Sequence, residues 1–106
     1  MADAKDIGKK AALEVVDQLK DKGWKIEDWD PKEPHAKDIL ATSQGKRMLV
    51  HIQSALEPNN PPHMTPPEIE NMKERAQNMN ADAYEARVKI DRNLNKVGDI
   101  GWGRIE

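Results

Sequence analysis

The chain contains no cysteine and no phenylalanine, and it has only one tyrosine and three tryptophans among its 106 residues. The absence of cysteine excludes disulfides and thiolate metal sites. Because aromatic residues are scarce, the core must consist mainly of aliphatic side chains and methionine. No stretch approaches the roughly 20 apolar residues that span a bilayer, and the first residues lack the apolar core of a signal peptide. We therefore expect a cytoplasmic protein without membrane association.

The charge balance provides no strong attraction to polyanions. The sequence has 19 acidic and 17 basic side chains, which leave a formal net charge of -2. Binding to DNA would therefore depend on a local basic surface. The length is typical of one domain with one core, so we expect a single domain over residues 1–106. Since hydrophobic residues make up only 37% of the chain, a homodimer would help to complete the core.

Two segments have the periodicity of amphipathic helices. Apolar residues recur at steps of three and four from residue 6 to residue 22, and Gly23 then provides a stop signal. A second helix is predicted to start after Thr65 and to end near residue 80. Thr65 can cap its first turn, and Glu68, three residues later, can complete a capping box.

Residues 37–54 are typical of two short strands joined by a turn at Gly45. Strand side chains alternate between faces, so His51 and Gln53 share one face of the second strand. An antiparallel hairpin can bring Asp38 beside them. The hairpin therefore predicts that one acid and two polar groups converge on one face of a sheet.

The remaining segments complete an α/β or α+β domain. Alternation around residues 24–26 favours a first strand, and residues 82–91 alternate as a strand with one wet face. Residues 97–105 favour a weaker closing strand. Five of the seven prolines lie in residues 56–67, which are expected to form an irregular loop. The predicted order is helix, three strands, helix and one or two strands, with the helices packed on a sheet.

Several of these segments together resemble the PD-(D/E)XK restriction-endonuclease-like superfamily, in particular its small Holliday-junction-resolvase-like and Mrr-like members. The motifs that carry the resemblance are Gly8-x-x-Ala-Ala-Leu-Glu14, Gly23-Trp-Lys-Ile26, Lys37-Asp-Ile-Leu-Ala41 and Met48-Leu-Val-His-Ile-Gln-Ser-Ala55. They cover the first half of the chain, and the element order covers all of it. The resemblance implies an αβββαβ core with a mixed central sheet flanked by helices.

The same resemblance implies four catalytic positions. Glu14 matches the glutamate of the family's helix, and Asp38 matches its metal-binding aspartate. His51 stands where the family has Glu or Gln, and Gln53 stands where it has lysine. Phosphodiester hydrolysis of this type needs Mg²⁺ held by oxygen ligands and a cation near the attacking water. Because His51 suits Mn²⁺ better than Mg²⁺ and Gln53 carries no charge, the signature is degenerate at two positions.

Three functions remain open from the sequence. The first is a nuclease-like domain that has lost catalysis and binds nucleic acid or protein. The second is an active metal-dependent DNA endonuclease, in which Asp38 and His51 hold a divalent metal such as Mg²⁺ or Mn²⁺. The third is a small homo-oligomeric structural or interaction protein without a link to nucleic acid.

Each candidate residue also has an ordinary structural interpretation. Glu14 borders an apolar stripe and could be a solvated flank residue. His51 could be a half-exposed histidine that Asp38 holds, with a raised pKa. His35 could join these two in a transition-metal cluster or simply face solvent. The candidates for contacts to DNA phosphates are basic side chains that could equally form a solvated face: Lys46, Arg47, Lys73 and Arg75.

Overall fold

The structure, a computed structural model, describes residues 4–30, 32 and 38–105 and contains two helices and five strands in that part of the chain. In chain order these are α1 (Ala4–Asp21), β1 (Lys25–Asp28), β2 (Ile39–Ser43), β3 (Lys46–Leu56), α2 (Pro66–Asn78), β4 (Asp82–Ile90) and β5 (Lys96–Ile105). This order confirms the predicted α+β arrangement, with two strands after the second helix. Neither helix is long and apolar enough to cross a membrane in the part of the chain described.

The five strands form one mixed sheet in the order β1-β2-β3-β4-β5. Strands β3 and β4 run parallel, and the other neighbouring pairs are antiparallel. Parallel neighbours require a crossover connection, and α2 provides it. The sheet is therefore mixed because one helix interrupts a series of antiparallel neighbours.

The helices pack against different faces of this sheet. The apolar stripe of α1 packs with residues such as Met48 and Val50. On the other face, Met72 and Ala76 of α2 pack against Leu49 and other buried residues. Alternation along β3 thus places Met48 and Val50 against α1 and Leu49 against α2.

The turn between β2 and β3 determines the position of Asp38. Gln44 and Gly45 both have positive φ, 51° and 80°, which is the backbone of the two-residue hairpin turns whose twist matches that of the strands. The turn sets the register that pairs Ile39 with Val50. The next position outward places Asp38 opposite His51.

Helix α2 starts with the predicted capping box. The Glu68 backbone N–H donates to the Thr65 hydroxyl, and the Thr65 backbone N–H donates to Glu68 Oε1 at 2.9 Å. These bonds satisfy N–H groups that the first turn leaves without partners. The capping box therefore fixes Glu68 at the end of α2 that lies beside His51.

Two expectations need correction: the bounds of the proline-rich loop and the exposure of one face of β4. β3 continues to Leu56, beyond the predicted strand, and α2 begins at Pro66, so the irregular connection covers residues 57–65. The expected wet face of β4 is wrong for Glu85, whose side chain is only 13% exposed. The connection causes this burial: Pro61 is buried, and Arg87 Nε donates to its carbonyl oxygen at 3.2 Å.

Candidate functional site

The candidate site is centred on an ion pair between Asp38 and His51. His51 Nδ1 lies 2.8 Å from Asp38 Oδ1, and the two side chains are only 10% and 26% exposed. Since an ionised carboxylate can only accept, Nδ1 carries the proton and donates it. The hairpin register produces this contact, which confirms that Asp38 holds His51.

Arg75 of α2 completes the pair from the other side. Its Nη2 donates to Asp38 Oδ2, and its Nε donates to Asn71 Oδ1 at 2.9 Å. Arg75 reaches the sheet because it lies one turn beyond Met72, which is buried between α2 and the sheet. Both oxygens of Asp38 therefore accept hydrogen bonds from positively charged or protonatable groups.

These contacts shift the pKa values of the acid and the base in opposite directions. Burial raises the pKa of Asp38, but the hydrogen bonds and positive charges of His51 and Arg75 outweigh it, so the pKa lies below its usual value. The hydrogen bond to Asp38 raises the pKa of His51, against the opposing effects of burial and of the Arg75 charge. Each shift favours the charged form, so the pair behaves as a salt bridge.

A pocket opens beside the free edge of the histidine. His51 Nε2 lies 3.9 Å from Glu68 Oε2, and the hydrogen bonds from Thr65 lower the pKa of Glu68. The pocket has a volume of about 310 Å³ and both polar and apolar walls: His51, Met64, Pro67, Glu68, Asn71, Met72 and Arg75. The site can therefore hold His51 in one orientation, with Nε2 toward the pocket.

The donor set does not fit an Mg²⁺ or Mn²⁺ site. Asp38 uses both oxygens in the ion pair, and Nδ1 of His51 points at Asp38 rather than at a metal position. Within residues 4–30, 32 and 38–105, no group of three or more His, Cys, Asp or Glu side chains is arranged to hold a metal ion. His35, the third member of the predicted transition-metal cluster, lies outside the described residues.

The other two positions implied by the resemblance lie apart from this ion pair. Glu14 is on α1, which packs on the opposite face of the sheet, and it pairs with Lys10 at 3.1 Å on its own helix. Gln53 shares the face of His51, two residues along β3, and lies beside Arg87 of β4. The structure thus groups Asp38 and His51 closely, keeps Gln53 on the same face, and leaves Glu14 with α1.

The predicted DNA-contacting residues are mostly engaged inside the domain. Arg47 Nε lies 3.1 Å from Glu27 Oε2, and its Nη1 donates to the carbonyl of Met79. Arg75 holds Asp38, and Lys73 lies 3.8 Å from Glu70 on α2. Lys46 is exposed at the start of β3 and has no ion pair with another described residue. Of the four, Lys46 is therefore the one that is exposed and forms no ion pair within the described residues.

One known protein family matches most of the chain. Residues 6–99 match a family described as "Domain of unknown function (DUF8840)". The chain belongs to this family. No curated protein matches the sequence. The match to the DUF8840 family runs from α1 into β5 and includes the Asp38–His51–Arg75 ion pair, and the family description assigns no activity.

A second polar group of this DUF8840 domain was not predicted from sequence. Glu85 lies beside His51 in the β3–β4 register. Its Oε1 atom is buried and accepts no hydrogen bond from the described residues; His63 Nδ1 lies 3.5 Å away and Arg87 Nε 3.7 Å away. The alternation of β4 placed Glu85 and Arg87 on one face, but not beside His51, because the pairing of β3 with β4 is nonlocal. This row of polar residues extends the candidate site along the sheet.

Proposed function

We propose that this domain is a nuclease-like domain that has lost hydrolysis and binds nucleic acid without cleaving it. The observation that carries the proposal is the engagement of both Asp38 oxygens, by His51 and by Arg75. The element order supports the nuclease-like ancestry, because αβββαβ is the order that the sequence resemblance implies, here followed by one further strand. Asp38, which directly precedes β2, also contacts His51 of the neighbouring strand β3, an arrangement consistent with that resemblance.

The chemistry of the site argues against hydrolysis. A metal-dependent nuclease needs an oxygen ligand that is free to coordinate and a cation that can reach the attacking water. Here the carboxylate of Asp38 is already neutralised by Arg75 and His51, and Gln53 supplies no charge. Displacing Arg75 would cost the energy of a partly buried, charge-assisted pair. The arrangement therefore stabilises the fold instead of preparing a metal site.

Nucleic acid is favoured over protein as the ligand by two features. The first is the ancestry that the resemblance implies, since loss of catalysis does not require loss of affinity. The second is the presence of exposed lysines, such as Lys46 at the start of β3, that form no ion pair with another described residue. Such side chains can neutralise phosphates locally even when the net charge of the protein is negative.

The test is a gel-shift and cleavage assay on the same samples. Labelled single-stranded, duplex and four-way-junction DNA would be incubated with the full chain in EDTA, in Mg²⁺ and in Mn²⁺. We expect retardation of at least one DNA form at low salt and intact DNA in all conditions. The control variant is Glu74→Gln, on the exposed face of α2. If DNA fragments form only with metal, disappear in Asp38→Asn and persist in the control, the domain is instead an endonuclease. Failure to retard any DNA form would contradict nucleic-acid binding.

A further inference from the structure

Three of the four aromatic side chains of the protein converge on one surface pocket. This pocket lies on the α1 side of the sheet, on the face opposite the Asp38–His51 pair. Its volume is about 190 Å³, and its walls are Leu19, Lys22, Trp24, Met48, Tyr84 and Trp102. Since the chain has only three tryptophans, one tyrosine and no phenylalanine, this pocket gathers most of its aromatic side chains, of which Trp24 and Tyr84 also pack against the core.

Trp102 gives this pocket an exposed and oriented aromatic surface. It is 37% exposed, one of two large hydrophobic side chains in the described part of the chain that are so exposed. Its Nε1 donates to Gln18 Oε1 at 2.7 Å, which ties the indole of β5 to helix α1. A ring that is already held in place loses little conformational freedom when a ligand stacks on it. The indole is therefore suited to stacking with a planar group.

Two lysines that are unpaired in the described part of the chain and one paired arginine lie at or near the aromatic walls. Lys22 is itself part of the pocket. Lys46 lies on the same face of β3, two positions before a pocket residue, and Arg104 lies opposite Tyr84 on β5. Arg104 pairs with the exposed Asp82 at 3.2 Å, whereas neither Lys22 nor Lys46 forms an ion pair with another residue in the described ranges. The positive rim of the pocket thus consists of these two lysines, Lys22 and Lys46.

The aromatic walls, the nearby lysines and the volume of the pocket together indicate which class of ligand it can bind. A quaternary ammonium group prefers aromatic walls without a competing cation, so Lys22 disfavours it. The pocket is smaller than the roughly 300–1,000 Å³ of sites that enclose a whole small molecule. One planar ring with negative charge attached beside it fits both the aromatic walls and the positive rim. A nucleotide within a single strand has this chemistry, because an unpaired base can stack while its phosphates contact lysines.

We propose that this pocket receives an unpaired base of a single-stranded nucleic acid, with adjacent phosphates contacting Lys22 and Lys46. The inference rests on the nucleic-acid binding proposed above and assigns it to the face opposite the Asp38 site. A base must leave its helical stack to enter the pocket, so single strands bind more tightly than duplexes of the same sequence.

The test is fluorescence anisotropy at low salt with three labelled probes of equal length: single-stranded DNA, the same strand in a duplex, and an abasic strand with the same number of phosphates. The variants are Trp102→Ala, Trp102→Phe and Lys22→Gln. Leu13→Ala is the matched control, because Leu13 is the other exposed large hydrophobic side chain and is not part of the pocket. Circular dichroism of each variant verifies the fold.

We expect Trp102→Ala to weaken binding of the single strand by about 10-fold, a typical loss for one base stacked on an aromatic ring. Trp102→Phe retains much of the affinity, Leu13→Ala retains all of it, and Lys22→Gln weakens binding and flattens its salt dependence. Three results would overturn the pocket assignment while leaving nucleic-acid binding intact. These are equal affinity for the abasic strand and the normal single strand, equal effects of Trp102→Ala and Leu13→Ala, and tighter binding of the duplex than of the single strand. The assignment also fails if Trp102→Ala dissociates a dimer without changing affinity for DNA. Absence of binding to all three probes overturns the pocket assignment, and it overturns both proposals when the four-way junction is not retarded either.

Discussion

Arg75 on α2 donates to Asp38 Oδ2 across 37 residues of sequence, and it does so from the side of the carboxylate opposite His51. One carboxylate therefore joins the β2–β3 hairpin to the second helix. This link places a cation where the resemblance to nucleases implies a metal. The properties of the site should then be those of a salt bridge, and they can be measured as such.

Removing Arg75 should raise the pKa of both of its neighbours. The charge of Arg75 lowers the pKa of His51 and, with its hydrogen bond, the pKa of Asp38. In Arg75→Gln, NMR titration of the His51 ring should therefore show a higher pKa than in the native protein, and Asp38 should titrate at higher pH as well. Arg92→Gln, which removes an exposed arginine from the β4–β5 turn, is the control and should change neither value. An unchanged pKa of His51 in Arg75→Gln would show that the contact does not persist in solution.

The free energy of unfolding should depend on pH through the Asp38–His51 pair, with opposite signs on the two sides of a maximum. The pKa of Asp38 is lowered by folding, so its contribution is present above the ordinary pKa of about 3.9 and is lost as the pH falls through the folded value. The pKa of His51 is raised, so its contribution is present below about pH 6.5 and is lost as the pH rises through the folded value. The pair should stabilise most between about pH 4 and pH 6.5.

Urea unfolding at a series of pH values measures this profile. In Asp38→Asn, the free energy of unfolding should depend less on pH both below and above the maximum. Its value at the maximum should fall by about 1–3 kcal/mol, the usual cost of breaking a partly buried charged hydrogen bond. Glu74→Gln serves as the control, because Glu74 is exposed on α2 and lies outside the Asp38–His51–Arg75 contacts. A native profile with the same slopes as Asp38→Asn would mean that the pair contributes no pH-dependent stability.

The capping box of α2 should contribute to stability and to the charge of Glu68. Thr65→Ala removes the hydroxyl that bonds Glu68, and it should lower the free energy of unfolding by about 1 kcal/mol. The pKa of Glu68 should rise only part of the way toward its ordinary value, because Thr65→Ala removes the hydrogen bond from the hydroxyl but keeps the one from the Thr65 backbone N–H, which is the larger cause of the lowering. Thr65→Ser keeps the hydroxyl and should retain most of both effects. Thermal unfolding and carboxyl NMR titration check the two expectations, and equal stability of the alanine and serine variants would contradict them.

The β2–β3 turn should be sensitive to a side chain at Gly45. Gly45 has φ of +80° with open space around it, so Gly45→Ala would be strained by its backbone conformation alone, at a cost of about 1–2 kcal/mol. Gly103 also has open space but no positive φ, which makes Gly103→Ala a matched control of small effect. Denaturant unfolding of the two variants compares them directly. Similar stabilities would show that the turn tolerates a Cβ.

Local patterns in the sequence were sufficient to predict the elements and the Asp38–His51 contact. The contact follows from a single hairpin, whose turn residues and strand alternation are both visible within residues 37–54. The start of α2 follows in the same way from Thr65 and Glu68, which are three residues apart. In each case the physical cause lies within a short segment of chain.

The features that escaped prediction depend on how distant segments pack. Arg75 lies three residues after Met72, at the border of the buried stripe of α2. This position was the only sign in the sequence that the Arg75 side chain could reach the sheet. The convergence of Trp24, Tyr84 and Trp102 requires the order of the strands in the sheet, and local alternation does not contain that order. The burial of Glu85 likewise depends on how residues 57–65 fold back over β4.

The most direct test of the central claim is a Mn²⁺ titration of the native chain followed by residue-resolved NMR broadening. If Asp38 is committed to His51 and Arg75, low concentrations of Mn²⁺ should broaden exposed carboxylates diffusely and leave the signals of Asp38 and His51 no more affected than the rest. Selective broadening of Asp38 and His51 at micromolar Mn²⁺, abolished by Asp38→Ala, would contradict the account. It would make the alternative of an active metal-dependent endonuclease the leading function.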